Sequence, residues 1–293
     1  MKELKKHIAV VLELGKVRIT FFVAFSTSVG YILSAAKIEF TMLFAAAGVF
    51  LLACGSSALN HYQERKYDAL MDRTKGRPIP SQRVNANYAI SVSIILCIAG
   101  LAIVYFSSNL TALVLGIIAL VWYNLIYTPL KRGYALAVVP GSVIGAIPPM
   151  IGWAAAGGNV FDMKVISLAF FFFIWQIPHF WLLLLIYGKD YEQAGFPTLT
   201  KLFSNFQLGR ITFAWIAALA TSCMLIPFFN FSINLYTVIF MMLLGFGLLW
   251  KTKDMLSEYI ERALCRKIFL SLNLYVLIVS LAISIDKLFL KEI

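Results

Sequence analysis

The chain has 293 residues, of which 61% are hydrophobic and only 13% are charged, and its mean hydropathy is +0.84. This composition excludes a soluble globular protein and indicates an integral membrane protein. Basic loops beside an anionic lipid leaflet account for the net charge of +11, and no aromatic-basic recognition motif indicates binding to nucleic acid.

Nine apolar segments are long enough to cross a bilayer as helices. They lie near residues 19–36, 40–59, 88–106, 110–127, 136–156, 165–187, 211–228, 235–250 and 268–285. All 25 Lys and Arg and all 14 Asp and Glu residues fall outside them, and 21 of the 25 basic residues fall on the side that holds the N-terminus. The positive-inside rule therefore predicts a cytoplasmic N-terminus and an outer C-terminus.

We expect a single polytopic domain over residues 1–293, because no linker or long extramembrane segment interrupts the chain. The N-terminal sequence MKELKKHIAVVLELGK is too short and too acidic for an organellar transit peptide. The predicted location is the plasma (inner) membrane of a prokaryote.

The segment after the second span, NHYQERKYDALMDRTKGRPIP, concentrates polar side chains. Four oxygen ligands follow at four-residue spacing, which on a helix would spread them over one face: Asn60, Glu64, Asp68 and Asp72. Three cations suited to phosphate oxygens come next: Arg73, Lys75 and Arg77. The pattern predicts a metal diphosphate site with Mg²⁺ as the ion. The competing interpretation is a solvated helix whose acids pair with neighbouring arginines and whose Asn60 is a cap.

Two further inner segments offer groups that could converge on this site. YTPLKRG places Lys131 and Arg132 at the inner end of the fourth span, where Arg132 also suits a membrane anchor. The segment after the sixth span contains Asp190 and Tyr191. His179, an apolar-span histidine after Pro178, is either a functional group or a hydrogen-bonded structural residue.

The predicted groups suit ionisation of an allylic diphosphate. A metal ion and basic side chains would stabilise the leaving diphosphate. The prenyl cation left behind would react with bulk water, so a membrane cavity lined by Phe, Trp and Met is a suitable place to form it. In the fifth span, Pro148 and Pro149 with Gly145 and Gly152 predict a kink and close helix packing.

These motifs resemble the UbiA superfamily of intramembrane prenyltransferases, in the form found in the protohaem IX farnesyltransferases (haem O synthases). The matching blocks occur in the family's order over roughly residues 10–290: N-x3-E-x3-D with RTKGRP, YTPLKR, GAIPPMIGW, WQIPHFW and DYEQAGFP. The resemblance implies an all-α membrane protein with nine transmembrane helices in a UbiA-like bundle around a central cavity open to the cytoplasm.

The resemblance also implies roles for individual residues. The catalytic, Mg²⁺-binding residues would be Asn60, Glu64 and Asp68, with Asp72 as an extra acid. The diphosphate would be bound by Arg18, Arg73, Lys75, Arg77, Lys131 and Arg132. The second motif and acceptor side would include His179, Asp190 and Tyr191.

The implied reaction transfers farnesyl from farnesyl diphosphate to a vinyl group of haem B, with addition of water, giving haem O. Haem A synthase or terminal-oxidase assembly would then be candidate partners. Two departures stand out: Lys16-Val17-Arg18 replaces the family's Lys-Pro-Arg, and a lone Asp190 replaces the acid pair of quinone-directed members.

The alternatives are a related prenyltransferase that acts on a quinone or other aromatic precursor, and a non-enzymatic haem or lipid transporter. The absence of Asp, Glu, Lys and Arg from the predicted spans weighs against transport.

Overall fold

The computed structural model describes residues 2–229 and 233–289, with side chains from residue 5 onward. Over this part of the chain it shows helices and loops without a strand, and nine helices are long and apolar enough to span a membrane, which confirms the predicted fold class. A helix outside this set, α1, comprises Lys2–Leu14. The spanning helices are α2 (Val17–Ala35), α3 (Phe40–Asp68), α4 (Ala86–Ser107), α5 (Leu110–Leu130), α6 (Val138–Ala155), α7 (Met163–Gln193), α8 (Asn205–Phe228), α9 (Leu235–Leu256) and α10 (Arg262–Phe289).

Helices α3 and α7 continue past the C-terminal ends of their apolar segments. Helix α3 continues to Asp68 although its apolar segment ends near residue 59, and α7 continues to Gln193. Polar residues such as Gln, Glu, Lys and Arg are good helix formers, so the backbone stays helical after the chain leaves the apolar layer. Asn60, Glu64 and Asp68 of α3, and Asp190 and Tyr191 of α7, therefore stand on helical extensions.

Side-chain caps fix where several helices begin. Asn109 accepts a hydrogen bond from the Ala112 amide at 2.9 Å, which allows α4 and α5 to be joined by a very short turn. Asn85 caps α4 in the same way, and Ser204 with Gln207 forms a capping box at the start of α8. These caps satisfy amides that a helix start would otherwise leave unpaired.

Helix α6 packs tightly between α2 and α7. A Cβ atom added to Gly152 would lie 1.8 Å from the Thr27 carbonyl oxygen of α2, and one added to Gly30 would lie 1.9 Å from that of Pro149. On the other side, Gly145 faces the Gln176 side chain of α7. The predicted close packing of this glycine- and proline-containing helix is confirmed, since only glycine allows such backbone approach.

Successive spanning helices run in opposite directions, because each span crosses the bilayer back from the face at which the previous span ended. The N-termini of α2, α4 and α6 and the C-termini of α3, α5 and α7 therefore share one end of the bundle. This end carries the polar motifs. Large apolar side chains such as Phe106 and Leu243 are exposed on the bundle surface, as expected for side chains that face lipid.

Candidate active site

A cavity of about 390 Å³ opens among the helices at the end of the bundle that carries the polar motifs. Val49 and Asp68 of α3 both line it, and their separation of 19 positions corresponds to roughly 28 Å of helix rise. Its deeper walls are apolar, with Leu52, Leu120 and Ile151 among the lining residues. The cavity thus joins a long apolar interior to a polar end.

The acidic face predicted on α3 forms the polar end. Asn60, Glu64 and Asp68 all line the cavity and are almost fully buried, with 2%, 4% and 0% of their surfaces exposed. The helix is continuous through Asn60, so this residue is not an N-cap. The four-residue spacing therefore places one amide and two carboxylates along the same wall.

Both carboxylates pair with cations from other parts of the chain. The Arg77 Nη1 atom donates to Asp68 Oδ1 and Oδ2, each at 2.8 Å. Lys131 Nζ forms an ion pair with Glu64. Burial lowers the pKa of the Lys131 ammonium, but the Glu64 carboxylate together with Tyr127 and Tyr191 outweighs burial, and the pKa lies above its usual value.

Lys16, at the junction of α1 and α2, is a further cation at this end. Its Nζ donates to Asn60 Oδ1 at 3.2 Å, and its backbone adopts the left-handed conformation with φ 47° and ψ 47°. Burial and the nearby positive charge of Arg77 lower the pKa of this ammonium to about 7. Its sequence position, just before a span, is also that of an ordinary membrane anchor, so the sequence did not single it out.

A π-helical segment near the C-terminal end of α5, Trp122–Tyr127, positions the groups opposite α3. Asn124 is 2% exposed and exchanges hydrogen bonds with Ser56 of α3: Ser56 Oγ donates to its Oδ1 at 2.6 Å, and its Nδ2 donates to the Ser56 carbonyl at 3.0 Å. One turn on, Asn60 Nδ2 donates to Thr128 Oγ1 at 3.3 Å. These bonds fix the end of α5, and therefore Lys131, against the acidic face.

The C-terminal end of α7 supplies the opposite wall. Arg73 Nη2 donates to the Tyr191 hydroxyl at 2.9 Å and its guanidinium lies 4.8 Å from the Tyr187 ring centroid, while Arg73 and Tyr191 both line the cavity. Tyr187 departs from helical geometry, with φ −122° and ψ 15°, so α7 bends there. The bend directs its last turn toward the segment that follows α3.

The sequence profile of the UbiA prenyltransferase family matches residues 23–273, which is most of the chain. The chain belongs to the UbiA prenyltransferase family. A curated relative from Geobacter sulfurreducens, named protoheme IX farnesyltransferase, is 42% identical over 190 residues, which cover 65% of this chain and 70% of the relative.

Solved structures of UbiA-type proteins share the fold. One from a study of digeranylgeranylglyceryl phosphate synthase superposes with a TM-score of 0.78 at 19% identity, covering 99% of this chain and 100% of its own. A UbiA homologue from Archaeoglobus fulgidus, determined with DMAPP and Mg²⁺ bound, superposes with a TM-score of 0.57 at 14% identity, covering 94% of this chain and 99% of its own.

The structure of this UbiA family member does not bring every predicted residue to the cavity. Helix α3 ends at Asp68, so Asp72 does not lie on the acidic face. Its side chain is 74% exposed and forms a 2.7 Å ion pair with Lys75, which is also exposed and does not line the cavity. Arg18 is exposed and does not line the cavity, whereas Lys16 two residues earlier does.

Arg132 and Asp190 also lie outside the lining. Arg132 Nη2 donates to the Gln63 carbonyl at 2.7 Å, which ties the loop after α5 to α3. Asp190 is half-buried beside Tyr191, and only the tyrosine reaches the cavity. His179 lines the apolar part of the cavity and precedes Tyr191 by 12 positions on α7.

The oxygen ligands at the polar end suit a hard divalent cation. Mg²⁺ in proteins commonly binds one or two carboxylates and completes its coordination with substrate phosphates and water. Two buried carboxylates and one amide oxygen on a single wall meet this requirement, and the cations opposite them match the remaining charge of a diphosphate.

Proposed function

We propose that the chain transfers a farnesyl group from farnesyl diphosphate to a vinyl group of haem B, with addition of water, giving haem O and diphosphate. The observation that carries this proposal is the long apolar cavity with acidic and basic side chains at one end. The 42%-identical relative named protoheme IX farnesyltransferase supports haem as the acceptor.

Three cations bind the diphosphate in this proposal: Lys16, Arg77 and Lys131. Arg77 and Lys131 pair with Asp68 and Glu64 in the structure. When the substrate enters, they turn toward phosphate oxygens, and charge-assisted hydrogen bonds there stabilise the negative charge that grows on the leaving group. Arg73, held by the Tyr191 hydroxyl, serves as a fourth donor at the mouth.

Asn60, Glu64 and Asp68 would hold Mg²⁺ against the same diphosphate. When bound, Mg²⁺ neutralises phosphate charge and so makes diphosphate a better leaving group. The three side chains need little rearrangement for this role, because α3 already holds their oxygens on one buried wall. Their burial also limits competition from bulk water.

The apolar interior holds the isoprenoid chain and the reacting vinyl group. The C–O bond to diphosphate breaks as the vinyl carbon bonds to the allylic carbon, and the positive charge moves to the carbon next to the porphyrin. One water molecule adds there and releases a proton, which yields the hydroxyl group. Walls such as Leu52, Leu120 and Ile151 exclude other water that would quench the first cation.

The proposed setting is the plasma (inner) membrane of a bacterium, with the N-terminus and the polar end of the cavity cytoplasmic and the C-terminus outside. The 21 to 4 distribution of basic residues supports this orientation. Within it the chain acts as one prenyltransferase domain, and haem A synthase or a terminal oxidase under assembly would receive the product.

Product analysis tests the proposal directly. Purified protein with Mg²⁺, farnesyl diphosphate and haem B should yield haem O by mass spectrometry, EDTA should stop its formation, and excess Mg²⁺ should restore it. Asp68→Asn should abolish product while the protein still inserts into membranes. Unchanged haem B together with prenylation of an aromatic acid would instead favour a quinone-type prenyltransferase, and haem transport into vesicles without any product would favour a transporter.

A further inference from the structure

His179 is a polar side chain in the apolar part of the cavity. It lies within α7 directly after Pro178 and lines the cavity together with Phe180 and Gln176. Its ring is surrounded by the aromatic rings of Trp175, Phe180 and Phe269 at centroid distances of 5.1, 5.3 and 4.7 Å. A polar ring at this depth in an apolar wall calls for specific polar partners as well as packing.

Asn273 of α10 determines which ring nitrogen of His179 carries the proton. Asn273 Nδ2 donates to the Phe269 carbonyl at 2.6 Å, so its Oδ1 faces the other way. That oxygen lies 2.8 Å from His179 Nδ1 and can only accept, so the histidine Nδ1 atom must be the donor. The neutral ring therefore carries its proton on Nδ1 and its free lone pair on Nε2.

The Nε2 lone pair is available to a ligand in the cavity. Among the described residues Nε2 has no hydrogen-bond partner, and it is not one of the polar atoms sealed off from the cavity or solvent. An imidazole whose Nδ1–H donates to an amide or carboxylate oxygen, with Nε2 facing outward, is the usual arrangement of a metal-ligating histidine.

We propose that His179 Nε2 is an axial ligand of the iron of the haem substrate and that Asn273 is the positioning residue that holds this nitrogen toward it. The inference rests on the proposed function, because it names how that site holds its acceptor. Neutral imidazole is a common axial ligand of haem iron, and the aromatic rings around His179 provide apolar surface for a porphyrin.

Iron ligation would also orient the reacting vinyl group. A porphyrin is rigid and planar, so fixing the iron leaves mainly rotation about the Fe–N bond and keeps the vinyl carbons at a fixed radius from His179. His179 and Tyr191 are 12 residues apart on α7, which is roughly 18 Å of helix rise. The iron therefore lies in the apolar interior, and the porphyrin edge is directed toward the diphosphate end.

The competing role for His179 is that of the base that takes the proton from the adding water. It would also need a free Nε2, but it would not require contact with iron. Haem binding without farnesyl diphosphate distinguishes the two roles, since only ligation by His179 gives the bound haem the signals of an imidazole-ligated iron.

The test uses the full chain purified in detergent, ferric haem B, and no farnesyl diphosphate. Wild-type protein should show the absorption and electron paramagnetic resonance signals of imidazole-ligated haem. His179→Gly should lose them and bind haem at least about 10-fold more weakly, and added imidazole should restore them. His7→Gly, which changes an exposed histidine of α1, should leave the signals unchanged.

Variants of Asn273 test the positioning role without removing the ligand. Asn273→Leu should weaken haem affinity by about 10-fold, the size expected for loss of a second partner of a metal-bound histidine. Asn273→Asp keeps an acceptor and should retain the ligated spectrum with a lower haem reduction potential. If His179→Gly does not fold, these two variants still test the proposal. An unchanged haem affinity in Asn273→Leu together with an unchanged haem reduction potential in Asn273→Asp would overturn it.

The product assay is run on the same samples so that the two hypotheses fail separately. Haem O formation with a spectrum that does not depend on His179 would overturn ligation and leave the proposed function standing. A His179-dependent spectrum without any haem O would support ligation and overturn the proposed function. Loss of product in His179→Gly with an unchanged spectrum would assign His179 as the base, and wild-type protein that binds no haem would refute both.

Discussion

The ion pair between Glu64 and Lys131 allows the structural and functional effects of one charge to be separated. The Glu64 side chain is 5% exposed and that of Lys131 is 21% exposed. Two charges in contact at an effective dielectric constant of about 20 attract each other by about 4 kcal/mol. Removal of one partner from a buried pair typically costs about 3–5 kcal/mol, because the other charge stays buried without compensation.

Lys131→Met should therefore lower the free energy of unfolding by about 3 kcal/mol, since Lys16 partly compensates Glu64. This corresponds to a fall of about 6 °C or more in the thermal midpoint measured in detergent. Glu64→Gln with Lys131→Met removes both charges and should recover the free energy of unfolding to within about 1 kcal/mol of wild type.

Activity should not recover with stability. Loss of one preorganised donor to a leaving group lowers kcat by about 10²–10³-fold, so the single and double variants should both make haem O at least about 100-fold more slowly than wild type. A double variant as unstable as Lys131→Met would show that the pair is not the source of the instability. A double variant with restored activity would show that Lys131 only neutralises Glu64 and does not bind diphosphate.

Two further predictions test packing and the limits of the site. Gly152→Ala places a methyl group against the Thr27 carbonyl and should lower the free energy of unfolding by at least about 2 kcal/mol. The control is Gly247→Ala in α9, where the added methyl group meets open space and the thermal midpoint should stay unchanged or rise slightly. Equal midpoints for the two variants would contradict the close approach of α2 and α6. Asp72→Ala and Lys75→Ala should each retain haem O formation within about twofold in the product assay, because the pair is exposed and does not line the cavity. A large loss of activity in either variant would show that these residues take part in the reaction.

The spans and the acidic face could be predicted because each follows from a local pattern. Hydropathy over about 20 residues depends only on neighbouring residues, and so does the four-residue spacing of Asn60, Glu64 and Asp68. The same spacing included Asp72 wrongly on this face, because nothing in the four-residue pattern marks the point after Asp68 where the helix gives way to turns.

The remaining site residues depend on contacts between distant parts of the chain. Asn124 meets Ser56 across 68 positions, and Asn273 meets His179 across 94. A polar residue in an apolar span indicates that some partner exists, but its identity depends on which helices are neighbours and how they are rotated. Helix α10 lies next to α7 through packing of buried apolar side chains, and such packing leaves no motif in the sequence.

Lys16 combines a proposed diphosphate-binding side chain with an unfavourable backbone conformation, and substitutions at this position can separate the two. A non-glycine residue in the left-handed region costs about 1–2 kcal/mol, and here φ is 47°. Lys16→Gly and Lys16→Ala both remove the ammonium that contacts Asn60, so both should lose haem O formation alike. Glycine accepts this backbone conformation and alanine does not, so Lys16→Gly should have the higher free energy of unfolding by about 1 kcal/mol. If position 16 were instead part of a continuous helix, alanine would be the more stable by about 0.5–1 kcal/mol. The sign of the difference in thermal midpoint between Lys16→Gly and Lys16→Ala, measured in the same detergent, therefore decides whether residue 16 has a strained left-handed backbone at the polar end of the cavity.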